Sequence, residues 1–540
     1  MGSFKQIKLW LGLSATALLL VGCGQAKQGT KKQVIRTSID SELTSVDLSK
    51  TTALNSFTVL NNVDEGLFRL GKNSKIEPGI AKSYTESKDG KTYTFHLRKN
   101  DKWSNGDPVT AQDFVYSWRR TLNPKTSSQY GYLFSGIKNA DKIQNNKAPV
   151  SSLGIKANGR YQLTVTLESQ LPFFKLLMGF PVFFPQDAKA VQKYGSRYGT
   201  AANKQVYNGP FTLTKWTGSN LSWTLKKNPN YWDHQHVKLD DVKYNVVKDP
   251  STGLNLYNQK KLDMDGLSND QAKQYRHNQN LVTRKQSSSY YIAFNQKKKV
   301  FQNLKIRQAI SMAINRPMMV NKVVGGGAIQ NDNFVSKGLA VSPKNGKDFT
   351  AETTAPASMT YNLPAAKKLF KQGLKQAGMK SLKFTLMAGD DYDTKQLTEY
   401  LQSALEKLPG LKVSLNNIPA RVVLSRQADQ QFQVTVADWF ADYADPVTFL
   451  NILTSKNPSN ISKWKNTAYD HLIAKSNDQD ADKPTARWQD MIQAQNLALK
   501  DQAIVPLYQS GEKWLVRSKV KNVIYNTAGP NYNFKEAYVK

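Results

Sequence analysis

Residues able to do covalent or metal chemistry are few in this chain. It has 540 residues but one Cys and five His. A single cysteine excludes an intrachain disulfide and a structural zinc site built from several thiolates. His96, His234, His236, His277 and His471 form no recognisable catalytic set. His234 and His236 are close together, but they sit in a charged loop without evident metal partners. Neither a Gly-x-Ser-x-Gly elbow nor a His-Glu-x-x-His pair occurs, which leaves a hydrolase without its usual machinery. The three glycines Gly325 to Gly327 lack the Lys-Ser/Thr ending of a phosphate-binding loop and read as a turn. No enzyme, metal or cofactor is expected. The 24 Tyr, 22 Phe and 10 Trp are plentiful, and such residues fill cores or line binding clefts.

The lone Cys23 directly follows the most hydrophobic stretch, Leu9 to Val21, which is preceded by Lys5 and Lys8. That run is too short to span an ordinary bilayer and predicts a signal peptide over 1–22. Leu20-Val21-Gly22-Cys23 resembles the lipobox of bacterial lipoproteins, which implies cleavage before Cys23 and a diacylglycerol on its thiol. Residues 23–33 are small, polar and lysine-containing, and read as a tether.

The formal net charge is +34. No zinc-finger spacing, basic helix or glycine–arginine tract accompanies it, so nucleic acid is not the expected partner. Lysines spread along an exported chain fit an anionic membrane surface or wall polymer.

Alternation predicts strands at Thr92 to Leu97, Tyr161 to Leu167, Phe211 to Thr217, Leu221 to Lys226 and Val242 to Val247. Asp89-Gly90 reads as a hairpin turn. Thr110 with Asp113 predicts a capping box opening a helix that buries Phe114, Val115, Trp118 and Leu122. A helical stretch is expected over Phe57 to Phe68, and another over Pro172 to Leu177. From Tyr290 onward strands and helices alternate, with helices over Pro364 to Ala377, Thr394 to Leu408 and Arg487 to Leu499, which favours an α/β lobe.

Pro78 to Tyr84, Asp89 to Lys99 and Lys102 to Trp118 together carry a resemblance. The order turn, strand, Asn-Gly turn and capped helix is similar to bacterial extracellular solute-binding proteins of family 5, in particular the oligopeptide-binding lipoproteins of ABC transporters. Tyr207-Asn208-Gly209-Pro210-Phe211, Tyr290 to Asn295, Ile306 to Ile310 and Asp438 to Pro446 extend it over the mature chain. The resemblance implies an α/β, periplasmic-binding-protein-like two-lobed clamshell of class II, cluster C, with an added subdomain. It places 34–60, 203–285 and 510–540 in a discontinuous first lobe. It makes 61–202 the subdomain and 286–509 the second lobe. It also implies a receptor, expected as a monomer, on the extracellular face of the cell membrane, and the absence of a disulfide pair points to a Gram-positive cell. That receptor would deliver extracellular oligopeptides to permease subunits driven by a separate ATPase, with a signalling peptide or a nonpeptide solute such as a metal chelate as the alternative cargo.

The site follows from the same resemblance. Asp442 matches the acidic residue that pairs with the peptide amino terminus, as a partly buried carboxylate opposite an ammonium also fixes register. Asp438, Trp439 and Phe440 precede it on a segment that runs beside peptide. The two aromatic rings have two roles open to them, pocket walls or interlobe packing. Asp64-Glu65-Gly66-Leu67 matches another cleft segment. There Gly66 would admit peptide backbone, and Glu65 either faces a basic group or is ordinary surface charge. Tyr290 and Tyr291 point to opposite sides of a strand, and Tyr291 is the one carried into the site.

Overall fold

Two crossings between sheets organise the chain. Leu281–Lys285 leads almost directly into Ser288–Phe294, and Val505–Gln509 into Gly511–Val516. The first and last of these strands belong to a seven-stranded sheet, and the middle two to a six-stranded sheet. The crossings are tied together where they meet. Gln509 Nε2 donates to the Gln286 carbonyl at 2.9 Å, and the Ser510 N–H donates to Ser288 Oγ at 2.9 Å. A Cβ at Gly511 would collide with the Gly327 carbonyl oxygen, so glycine lets the two backbones touch beside the crossing. The computed structural model describes residues 32–72, 75–325 and 327–540, without the side chain of residue 269. The expected signal peptide, Cys23 and most of the tether lie outside the described residues.

In the seven-stranded sheet Val34–Ile39 runs parallel to Asp241–Val246, with Val34 opposite Asp241. Ser222–Lys227 and Phe211–Thr214 continue it as antiparallel strands. The expected strand through Thr217 stops at Thr214, because Lys215 turns the chain with φ of 62°.

The six-stranded sheet holds the parallel strands Leu382–Gly389, Leu411–Ile418 and Val434–Phe440. The helix Tyr392–Leu405 connects the first two. It starts earlier than its apolar pattern suggested, since Asp391 caps it by accepting the Thr394 N–H at 2.9 Å. Ser288–Phe294 lies antiparallel to Val434–Phe440, which sets Tyr290 opposite Asp438.

A third, four-stranded antiparallel sheet contains Ala81–Glu86 and Thr92–Leu97, with Gly90 at φ 64° in the turn between them. The helix Ala111–Leu122 carries the predicted capping box. Trp118 is fully buried and its Nε1 donates to the Phe183 carbonyl at 2.9 Å. The helix expected over 57–68 is instead Leu54–Val63, because Asp64 turns extended and Phe68–Leu70 forms a strand. The stretch 172–177 keeps one short helical segment, Phe174–Leu177. The result is an α/β fold of two lobes with a further subdomain.

Candidate functional site

The sheets leave between them a cavity of about 470 Å³. Both crossings contribute to its wall through Gln286, Ser510 and Gly511. The volume falls within the roughly 300–1,000 Å³ usual for sites that enclose small ligands. Eight carboxyl-bearing residues and two lysines line it, with no arginine or histidine. The cleft is therefore acidic within a chain whose net charge is +34.

Asp442 lies in this wall, just beyond the end of Val434–Phe440, and is 6% exposed. Its N–H donates to Thr448 Oγ1 at 3.0 Å, and its Oδ1 accepts from the Tyr130 hydroxyl at 3.3 Å. Its Oδ2 is buried and has no protein partner among the described residues. Burial pushes the Asp442 carboxyl up to about 8, opposed first by the hydrogen bond from the Tyr130 hydroxyl. Such a group holds a proton at neutral pH until a cation arrives beside it.

The neighbours of Asp442 divide between wall and packing. Trp439 stacks on Tyr130 with centroids 6.0 Å apart, and its Nε1 is buried without a partner among the described residues. Phe440 meets Tyr290 edge-on at 6.1 Å. Both line the cavity, so the two roles left open for these rings coexist in one wall. Asp438 opens into the cavity and is exposed there. Desolvation by the surrounding protein, followed by the charges of Asp391 and Asp40, raises it to about 6. Tyr290 and Tyr291 both border the space. Tyr291 is the more buried, 3% exposed and edge-on to Phe334, while Tyr290 stacks on Tyr508 at 4.6 Å.

Glu65, Gly66 and Leu67 are not among the lining residues. Glu65 is fully buried. It pairs with Arg69 Nη1 at 2.7 Å and accepts from the Tyr231 hydroxyl at 2.6 Å and from Trp232 Nε1 at 2.6 Å. Both expectations for Glu65, a ligand-facing acid or surface charge, give way to an internal anchor. Gly66 does admit a close neighbour, but that neighbour is protein: an added Cβ would strike the Phe184 ring and lie 2.9 Å from the Met178 carbonyl. Leu67 is fully buried core. Asn208 locks the segment, accepting the Glu65 N–H at 3.1 Å and donating to the Glu65 carbonyl at 3.0 Å.

Other lining residues had no role in the sequence reading. Tyr130 comes from the subdomain, 312 positions from the Asp442 it bonds. No local pattern marks it. Asp391 and Asp393 follow a predicted strand in the run Gly389-Asp390-Asp391-Tyr392-Asp393, and that acidic run was a legible signal. Lys248 Nζ contacts Glu42 at 2.8 Å and Asp390 at 3.0 Å, so its charge is met locally. Among the described residues no group of three or more His, Cys, Asp or Glu is arranged to hold a metal ion.

A family model described as bacterial extracellular solute-binding proteins, family 5 Middle, matches residues 75–460. A dipeptide-binding protein of Lactococcus lactis subsp. cremoris is 35% identical over 557 residues, covering 99% of this chain and 100% of the relative. The solved structure of Listeria monocytogenes OppA bound to peptide is 37% identical, with a TM-score of 0.91, and covers 95% of this chain and all of the other. The substrate-binding domain of an oligopeptide ABC transporter from Bacillus anthracis is 36% identical, with a TM-score of 0.92, over 94% of this chain and 99% of that one.

Proposed function

Because the chain belongs to the bacterial extracellular solute-binding proteins of family 5, we propose that its solute is an oligopeptide, held in the cleft with its α-ammonium on Asp442 and delivered to an ABC-transporter permease. The observation that carries this reading is the Asp442 carboxylate. One of its oxygens is buried in the cleft wall without a partner, at a carboxyl whose charge is disfavoured by burial. A peptide ammonium supplies both the missing donor and the missing charge. Asp438 to Phe440 pair with Ser288 to Tyr290 on one side, while Leu382–Gly389 on the other side reaches only Val434 and Thr435, and the edge left there with its aromatic faces suits an extended backbone. Lys513 also lines the cleft and forms no salt bridge among the described residues, which leaves it for the peptide carboxylate. Closure of two lobes removes the peptide from water and creates a shape a permease can distinguish.

The same reading has Cys23 carrying a diacylglycerol and the protein standing as a monomer on the outer membrane face of a Gram-positive cell. The permease is driven by a separate ATPase. Its support is the apolar run behind Lys5 and Lys8 that ends at Gly22 and Cys23.

Mass spectrometry of solute released on denaturing gently purified protein tests the assignment. Peptides with free amino ends are expected. N-terminal acetylation of such a peptide is expected to weaken binding about 10-fold or more, because the acetyl group removes the charge and crowds Asp442. Consistent recovery of a nonpeptide solute, or equal binding after acetylation, overturns the reading.

A proton balance follows. With the carboxyl near 8 in the empty protein, about nine-tenths of Asp442 is protonated at pH 7. Pairing with an ammonium requires the ionised form, so binding releases nearly one proton at pH 7. Affinity rises with pH from 6 toward 8 and levels where the peptide amine, near 8, loses its own proton. Calorimetry in two buffers of different ionisation enthalpy measures the release, and Asp442→Asn is expected to remove it. Asp393, raised to about 7, and Asp438, near 6, also titrate in this range, so the difference between the two proteins is the informative quantity.

A further inference from the structure

Four carboxylates of the cleft wall lie outside the amino-end role given to Asp442, although Asp391 also caps a helix and Asp40 accepts from Ser41 Oγ. Asp40 follows the strand Val34–Ile39 of one lobe. Asp391 and Asp393 stand at the start of the helix Tyr392–Leu405, and Asp438 lies on Val434–Phe440, both of the other lobe. All four line the cavity. Their charges act on one another: Asp391 and Asp40 both raise Asp438 and Asp393, and Asp391 raises Asp40. None forms a salt bridge with a described residue. Of the two lysines in the cleft wall, Lys248 is held by Glu42 and Asp390, and Lys513 forms no salt bridge with any described residue.

A second feature faces the same space. Tyr508 is 6% exposed and lines the cavity. Its hydroxyl has no hydrogen-bond partner among the described residues, and it lies within the field of Asp393, Asp391 and Asp438. Its ring stacks on Tyr290 at 4.6 Å with planes 9° apart. The unpartnered hydroxyl of this largely buried residue is free to accept a hydrogen bond from, or donate one to, a ligand in the cavity. Carboxylates set against aromatic faces match one ligand chemistry, an ammonium or guanidinium on an alkyl stem.

We propose that Asp40, Asp391, Asp393 and Asp438, with the Tyr290–Tyr508 pair, form a subsite for a Lys or Arg side chain of the bound peptide, so that the cleft selects basic peptides. The inference rests on the peptide reading above. Asp438 and Asp442 are four positions apart, at most about 13 Å in extended chain. A peptide anchored at Asp442 therefore brings its second to fourth residues within reach of the subsite. Selection is local: the lysines that give the chain its charge of +34 are spread along the sequence, while the cleft has its own sign.

The test uses alanine-based pentapeptides with free amino ends. Lys, Arg, norleucine or Glu is placed singly at positions two, three and four, and Kd is measured calorimetrically. At one position Lys and Arg are expected to bind about 10-fold or more tightly than norleucine, and Glu about 10-fold more weakly. Asp393→Asn and Asp438→Asn are each expected to shrink the Lys-to-norleucine ratio. If the host peptide binds through its amino end but Lys, norleucine and Glu agree within about 2-fold at every position, the subsite is overturned while the peptide reading stands. If the host binds equally well when acetylated, or not at all, the peptide reading fails first and this inference falls with it.

Discussion

Asp442→Asn is expected to weaken binding of a free-amino peptide by about 100-fold, measured calorimetrically at pH 7.5. Removing one member of a buried, hydrogen-bonded charge pair typically costs about 2–5 kcal/mol, and Asn retains the shape while losing the charge. The same substitution is expected to stabilise the empty protein. In the unfolded chain an Asp titrates near its model value of 3.8, whereas in the empty fold Asp442 titrates at about 8. Between these values the folded state holds a proton that the unfolded chain has released, so this group makes the fold less stable as pH rises from 4 to 8. Asn has no such dependence. Its gain in Tm is therefore near zero at pH 4 and largest near pH 8, about 3 °C as an order of magnitude. Thermal melts of ligand-free protein at both pH values measure it. Affinity within about 3-fold of the parent protein would remove Asp442 from the amino-end role.

Glu65→Ala is expected to act on stability instead. The substitution leaves the Arg69 guanidinium buried without its carboxylate at 2.7 Å, and removes the acceptor of Tyr231 and Trp232, each at 2.6 Å. Breaking a buried pair on one side costs about 3–5 kcal/mol. Arg69 also holds Asn533 through Nη2 at 3.2 Å, so the damage extends to the C-terminal segment. Urea or thermal unfolding is expected to show this loss, while peptide Kd, measured where the variant is folded, changes by less than about 3-fold. A variant of normal stability with weakened peptide binding would return Glu65 to the ligand.

Much of the fold was legible because its signals are local. Thr110 with Asp113 announced a helix start, and the structure has the reciprocal bonds. Alternation at Thr92 to Leu97 announced a strand with Tyr93, Phe95 and Leu97 inside. Boundaries slipped where a single residue overrode the pattern. Lys215 with positive φ ended one strand, and the Asp391 cap began a helix two residues before the apolar stripe implied.

The site was legible in one segment and hidden in the others. Asp438 to Asp442 run through the cleft wall in one stretch, so a single motif located them together. Asp64-Glu65-Gly66-Leu67 carried an equally plausible motif, yet it lies inside. Whether a carboxylate meets solvent or Arg69 depends on a partner four residues away and on Tyr231 and Trp232, far along the chain. Tyr130 and Tyr508 are two of many tyrosines, and nothing in their neighbourhoods distinguishes a wall of the cleft from core.

Sequence alone carried the family of this protein, through the ordered turns and the capped helix between Pro78 and Trp118. These are properties of short-range spacing, which the folded state does not alter. Tertiary structure alone decided the sign of the cleft. Asp40, Asp391, Asp393 and Asp438 come from three separate stretches, and the fold gathers them into one space where none forms a salt bridge with a described residue. A net charge of +34 is a sum over the chain, whereas a binding field depends on which few charges share one cavity.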